Sequence, residues 1–322
     1  MKSQPHVLVV DDEPLVLNTL QNLLEFDYTV HTAEDGFTGL KILQKEPVAV
    51  ILSDQRMPEM LGHEFLRQAK LIRPNAIRIL LTGYSDLEAV MNSVNAGEIF
   101  RYLNKPWKSD LLLSVVKLGV QVHDELSGII RQAAWDQRLK GDHSTHIEVE
   151  EKTPNVLFVG YENSEVAHLV KQLEDRFAVS AATSIDEAFR EIARKPISVI
   201  VSEVKFEEFD GVEFLSAVRQ DYPHIVTVIL TEVVDAQLAI RSINELQVFK
   251  YLTKPLAKGE FKKVLTDAAL RNQQYASAPA ANLQLTAQKF VPSTAEDQSD
   301  TALRLRLRAA QAMVAKKSSP AP

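Results

Sequence analysis

The chain repeats itself in register. HVLVVDDEP at 6–14 returns as NVLFVGYEN at 155–163, and VAVILSDQRMPEMLGHEFL at 48–66 returns as ISVIVSEVKFEEFDGVEFL at 197–215. IRILLTGYSD (77–86) and FRYLNKPW (100–107) return as VTVILTEVVD (226–235) and FKYLTKPL (249–256). The offset is 149 at every anchor (160 − 11, 203 − 54, 231 − 82, 254 − 105). Scattered shared motifs would drift over that span, so a constant offset identifies a tandem duplication. With roughly 150 residues per domain as a prior, a chain of 322 residues reads as two domains of one architecture.

Each copy alternates short apolar runs with amphipathic stretches. In the first, VLVV (7–10), YTVHT (28–32), VAVILS (48–53), IRILL (77–81) and IFRYL (99–103) are short, rich in β-branched residues and poor in polar alternation. That pattern suits parallel strands buried on both faces. Between them, Leu15–Phe26, Gly36–Gln44, Leu61–Leu71 and Asp86–Asn95 carry helical apolar spacing. Five β/α units imply an α/β doubly wound, five-stranded parallel sheet of flavodoxin-like 2-1-3-4-5 order, twice over, with ligands at the carboxyl ends of the strands.

Asp11 and Asp12 follow the first strand, Asp54 the third, Thr82 the fourth and Lys105 the fifth. Three carboxylates in one crevice repel one another unless a cation joins them, and a hard, oxygen-seeking ion such as Mg2+ is the natural choice. A hydroxyl and an ammonium complete a site suited to the oxygens of a phosphoryl group. A haloacid-dehalogenase-like phosphatase uses similar groups, but its nucleophile is the first Asp of a D-x-D motif. Here the sequence reads Asp11-Asp12-Glu13.

These five positions, in this order and spacing, resemble the response-regulator receiver domains of two-component signalling. DQRMP…G and LLTGYSD…RYLNKPW resemble receivers attached to HD-GYP phosphodiesterases and hydrogenase-type regulators, whose output domains have no counterpart in this sequence. The resemblance covers about 1–125 and implies that Asp54 is the phosphoacceptor. Asp12, Asp54 and the backbone carbonyl of Arg56 would bind Mg2+, with Asp11 acting mainly through water. Lys105 and Thr82 would hold the phosphoryl group, and Tyr102 would be the switch aromatic. It also implies a histidine kinase or phosphotransfer protein as donor and no enzymatic activity beyond self-phosphorylation and dephosphorylation; the lack of a signal-peptide hydrophobic region, a membrane-spanning run and cysteine fits a cytoplasmic address. Output would run through contacts with an unknown downstream protein; a phosphate sink or phosphorelay intermediate is the alternative.

In the second copy Asp11 becomes Gly160, Asp12 becomes Tyr161 and Asp54 becomes Glu203, while Thr231, Tyr251 and Lys254 remain. With two of three carboxylates gone, this reads as a degenerate pseudo-receiver. Glu203 is either a phosphoaspartate mimic facing Lys254 or a tolerated polar residue.

The expected layout is a receiver at 1–125, a helical extension and linker at 126–153, a pseudo-receiver at 154–275 and a largely disordered tail at 276–322. A helix is expected from Ser109 or Asp110 to about Leu139; its stripe at Leu126, Ile129, Ile130 and Ala133 needs a partner, either a second protomer or the second copy. Within the tail, 300–317 reads as a partner-binding helix or an inert tail, and because Leu303 to Arg308 alternates a strand is also open. His143-x-x-His146 reads as a solvated linker.

Composition narrows the partners. The net charge is −7, the tail from 276 carries +3 and the remainder −10. Such an acidic body argues against nucleic acid. No apolar run reaches membrane-spanning length and no cysteine is present, so no membrane contact, disulfide or thiolate chemistry is expected.

Overall fold

The structure is a computed structural model and describes residues 4–83, 99–140, 153–206, 209–246, 248–257, 259–277 and 302–318. The helix expected over Asp86–Asn95, the linker holding His143 and His146, and most of the ASAPAAN stretch lie outside them.

The first repeat runs β1 (His6–Val10), α1 (Pro14–Leu24), β2 (Thr29–Ala33), α2 (Gly36–Lys45), β3 (Val48–Asp54), α3 (Gly62–Ile72), β4 (Ile77–Thr82), β5 (Arg101–Asn104) and α4 (Ser109–Lys140). Its strands form one parallel sheet in the order β2-β1-β3-β4-β5. The second repeat runs β6 (Asn155–Val159), α5 (Asn163–Leu173), β7 (Ala178–Ala182), α6 (Ile185–Arg194) and β8 (Ile197–Ser202). A short antiparallel pair follows, β9 (Lys205–Phe206) and β10 (Phe209–Asp210). It continues with α7 (Gly211–Asp221), β11 (Val226–Thr231), α8 (Ala236–Leu246), β12 (Lys250–Thr253), α9 (Glu260–Ser277) and the tail helix α10 (Ala302–Ser318). The second sheet, β7-β6-β8-β11-β12, has the same order as the first. Both are doubly wound α/β folds, as the alternating pattern requires.

The duplication extends to details. A register irregularity falls between His6 and Val7 on β1 and between Asn155 and Val156 on β6. Asp35 caps α2 by accepting from the Thr38 amide at 2.7 Å, and Ser184 caps α6 by accepting from the Glu187 amide at 3.3 Å. Each cap satisfies one of the amides a helix start leaves unpaired.

The two compact units do not follow the repeats strictly, because 235–247, which holds α8, groups with the first unit. In that unit, Val7, Val9, Leu52, Ile79 and Leu81 pack against Leu112, Val116, Val122 and Leu126 of α4. The 32-residue helix α4 is about 48 Å long at 1.5 Å per residue. Leu126 of the expected stripe is buried in this core, whereas the side chains of Ile130 and Ala133 lie outside the described ones. In the other core, Val156, Phe158, Val201 and Leu230 pack against Phe261, Leu265 and Ala268 of α9.

Residues 302–318 are helical. Leu307 and Ala310, three apart, are buried, whereas Leu305 is 54% exposed. Strand alternation would have put Leu305 and Leu307 on one face. The helix packs on α6 and α7, with Arg306 Nε 2.8 Å from Asp186 Oδ1 and Gln311 Nε2 donating to the Tyr222 hydroxyl at 2.8 Å.

Candidate functional site

The parallel strands of the first sheet end together, and the candidate residues stand at those ends. Asp11 follows β1 and is fully buried; Asp54 closes β3 and is 5% exposed; Thr82 closes β4 and is fully buried. Lys105 follows β5, its amide donating to the Thr82 carbonyl at 2.8 Å, and the bond to Pro106 is cis. The Lys105 ammonium lies 2.8 Å from Asp11 Oδ2 and 2.5 Å from Asp54 Oδ1. One cation thus bridges two buried carboxylates.

Hydrogen bonds occupy the remaining oxygens. Asp11 Oδ1 accepts from the Glu13 amide at 2.9 Å, and Asp54 Oδ2 from the Arg56 amide at 2.6 Å. Burial raises the Asp11 pKa although Lys105 and the Glu13 amide act in the opposite direction. Burial also disfavours the charged Lys105, but its bonds to Asp11 and Asp54 outweigh that and hold its pKa above the ordinary value. Asp12 lies exposed at the rim. The ligand atoms of Asp11, Asp12 and Asp54 do not gather within 4.8 Å of one another. The donor set is nonetheless all oxygen and anionic, which fits a hard cation such as Mg2+. Tyr102, on β5, is 2% exposed. Its amide donates to Asn244 Oδ1 and its carbonyl accepts from Asn244 Nδ2, both at 2.9 Å, so α8 clasps this strand within the first unit.

The backbone at Asp54 is held from two sides. The Asp54 carbonyl accepts from the Ser53 hydroxyl at 2.9 Å, and α3 begins against it at Gly62. A Cβ at Gly62 would lie 2.0 Å from that carbonyl oxygen, so only glycine fits. Gly211 stands in the same relation to the Glu203 carbonyl, at 2.3 Å. Gln55 and His63 add a clasp that sequence reading missed. The Gln55 side chain bonds His63 Nδ1 at 3.0 Å and accepts from the His63 amide at 3.3 Å. The only sequence signal was a polar residue directly after a buried strand.

The second site is arranged differently. Tyr161, in place of Asp12, is 4% exposed and donates its hydroxyl to the Leu230 carbonyl at 2.5 Å. Burial, then the Glu203 and Glu165 charges, push its phenol well above the ordinary pKa, so it stays protonated. Lys254 lies 4.9 Å from the centre of the Tyr161 ring and pairs with Glu165. Glu203 Oε2 stands farther from Lys254, at 3.7 Å, while Oε1 accepts from the Val204 amide at 2.8 Å. Glu165 was not foreseen; it aligns with Val16 of the first copy (165 − 149) and so lies outside the aligned motif. Gly160, in place of Asp11, has φ 84°. Thr231 is fully buried and its hydroxyl accepts from the Val233 amide at 3.1 Å. Tyr251, also buried, donates its hydroxyl to the Val233 carbonyl at 3.0 Å.

Comparison with known proteins matches both repeats to one domain family. The model of the response regulator receiver domain matches residues 7–117 and again 149–266. The hydrogenase transcriptional regulatory protein HoxA of Cupriavidus necator is 36% identical over 152 residues, covering 47% of this chain and 29% of that protein. The DNA-binding transcriptional regulator NtrC of Escherichia coli is 34% identical over 120 residues, covering 37% of this chain and 25% of that protein. The chain thus spans under a third of the length of these relatives. Among solved structures, a CheY-like response regulator receiver domain from Methanospirillum hungatei is 33% identical with a TM-score of 0.37, covering 38% of this chain and 98% of that one.

Proposed function

Because the chain belongs to the response-regulator receiver family, we propose that Asp54 accepts a phosphoryl group from the phosphohistidine of a kinase or phosphotransfer protein, and that the second copy does not. An Asp54 carboxylate oxygen forms the new bond to phosphorus as the phosphorus–nitrogen bond breaks, and the departing imidazole takes up a proton. Lys105, already on Asp54 Oδ1, then pairs with a phosphoryl oxygen, and the Thr82 hydroxyl turns towards another. Mg2+, held by Asp12, Asp54 and the Arg56 carbonyl with Asp11 behind water, would offset repulsion among the carboxylates and the charge on the phosphoryl oxygens. As Thr82 turns, the β4–β5 edge repacks around Tyr102, a two-state element biased by one new charge.

The observation that carries this reading is the Lys105 ammonium between the two buried carboxylates, a poised anion site at the ends of three parallel strands. In the second copy, Lys254 is engaged by Glu165 and the Tyr161 ring. Glu203 Oε2 lies 3.7 Å from Lys254, farther than Glu165, which favours a tolerated polar residue over a phosphoaspartate mimic. The second domain is therefore a binding module, and signalling proceeds through protein contacts.

Acetyl phosphate with Mg2+ tests the division of labour. Asp54→Asn is expected to abolish labelling, and Glu203→Gln to leave it unchanged. Label that persists in Asp54→Asn, or that maps to Glu203, rejects the assignment.

A further inference from the structure

A second constellation lies at the other end of the first sheet. His6 opens β1, His31 lies on the neighbouring β2, and Glu46 is the residue that ends α2. His6 Nδ1 and His31 Nε2 are 3.0 Å apart, and Glu46 Oε2 is 3.7 Å from the first and 4.0 Å from the second. Among the described residues this is the one group of three such side chains whose ligand atoms lie within 4.8 Å of one another. We propose that His6, His31 and Glu46 bind a first-row transition metal of the zinc(II) type, with the fourth position open to solvent or an incoming ligand.

Zinc holds imidazole nitrogen and carboxylate oxygen at about 2.0–2.2 Å, so its ligand atoms in a tetrahedron stand roughly 3.3–3.6 Å apart. The three separations here bracket that spacing. The ligands move a few tenths of an ångström to meet the ion, which the half-exposed Glu46 and partly exposed imidazoles allow. Two imidazoles and one carboxylate select zinc, nickel, cobalt or copper over magnesium and calcium.

The backbone is already fixed. β1 and β2 are paired through Leu8–His31, and the Glu46 amide donates to the Ile42 carbonyl at 2.9 Å. β1 separates this site from Asp11 by five residues, about 16 Å of strand. A metal here would brace the amino-terminal end of the sheet without entering the phosphoryl pocket.

Calorimetric titration of the full chain with zinc, in saturating Mg2+ and beryllofluoride to block the acidic pocket, tests this. One equivalent is expected to bind. His6→Gln, His31→Gln and Glu46→Gln should each weaken it by more than about a hundredfold, beyond the roughly 10–100-fold effect of an outer-shell change. The double variant His143→Gln/His146→Gln should bind as wild type does. Cobalt absorption, read in parallel, should show a nitrogen-ligated tetrahedral band that disappears in His31→Gln. Zinc should raise the melting temperature of the wild type and not of His31→Gln; Glu46→Gln, at a half-exposed position, guards against a folding defect. The proposal is overturned by an absence of stoichiometric binding. It is equally overturned by binding indifferent to all three substitutions, or lost only in the His143/His146 variant.

Discussion

Asp11 is sealed from solvent, and burial raises its carboxyl pKa above the ordinary value near 3.8 against the pull of Lys105 and the Glu13 amide. A carboxyl whose folded pKa is raised favours the folded state fully below its unfolded pKa. That contribution is lost as pH climbs through the folded value. At neutral pH the charged Asp11 therefore weakens the fold it serves. Asp11→Asn is expected to raise the melting temperature of the metal-free protein by a few degrees while impairing Mg2+-dependent phosphorylation. The gain should be largest near neutrality and fade as pH falls towards 3.8. Thermal melts of both proteins across that range measure it, and a melting temperature lowered at pH 7 would contradict the account. The same trade separates the two copies, since Gly160 stands where this charge would be.

At the scale of elements, α4 illustrates how one residue type serves opposite ends. A Cβ at Gly119 would meet Val50 Cγ2 at 3.2 Å and Ile77 Cγ2 at 3.3 Å, so glycine lets the helix lie close on β3 and β4. A Cβ at Gly128 would meet nothing within 4 Å. Gly128→Ala should therefore stabilise the protein by about 0.8–1 kcal/mol, the helix-propensity difference alone. Gly119→Ala should lose that gain to crowding. Urea melts of the two variants check this, and equal shifts would mean that the contact with β3 and β4 does not matter. Strand order and the α4 helix were legible because buried parallel strands and 3.6-residue spacing leave strong local patterns. The Gln55–His63 clasp, the Glu165 partner of Lys254 and the His6–His31–Glu46 cluster were not. Each joins side chains from different elements, as His6 and His31 are, 25 positions apart, and no periodicity marks such pairs. Asp11, Asp54, Thr82 and Lys105 escaped this limit only because a doubly wound sheet brings its strand ends together.

Across the whole molecule, two copies of one fold carry different side chains at their strand ends and different attachments. The first keeps its charged pocket, and the second carries α10 on α6 and α7. The tail is basic where the rest is acidic, and Arg306 meets Asp186 on α6. That pair contributes little, so the fully buried Leu307, beside Ala310, carries most of the apolar anchoring. Leu307→Ala should weaken docking by about 2–5 kcal/mol. Hydrogen exchange should then quicken across 302–318 and α6, while Asp54 labelling persists. Unchanged protection would mean that the helix is held by something other than this side chain.

The Tyr161 plug bears on history as well as chemistry. Restoring an aspartate there would vacate the space of a buried aromatic ring and leave the Leu230 carbonyl without its hydroxyl partner. Restoring the other at Gly160 would force a side chain onto a backbone at φ 84°, where L-residues are strained. Each reversion alone is therefore expected to cost stability, and on the proposed reading of the site neither alone would restore the pair of carboxylates. If the second copy is the binding module proposed above, it has passed a ratchet: no single substitution rebuilds the first copy's pocket.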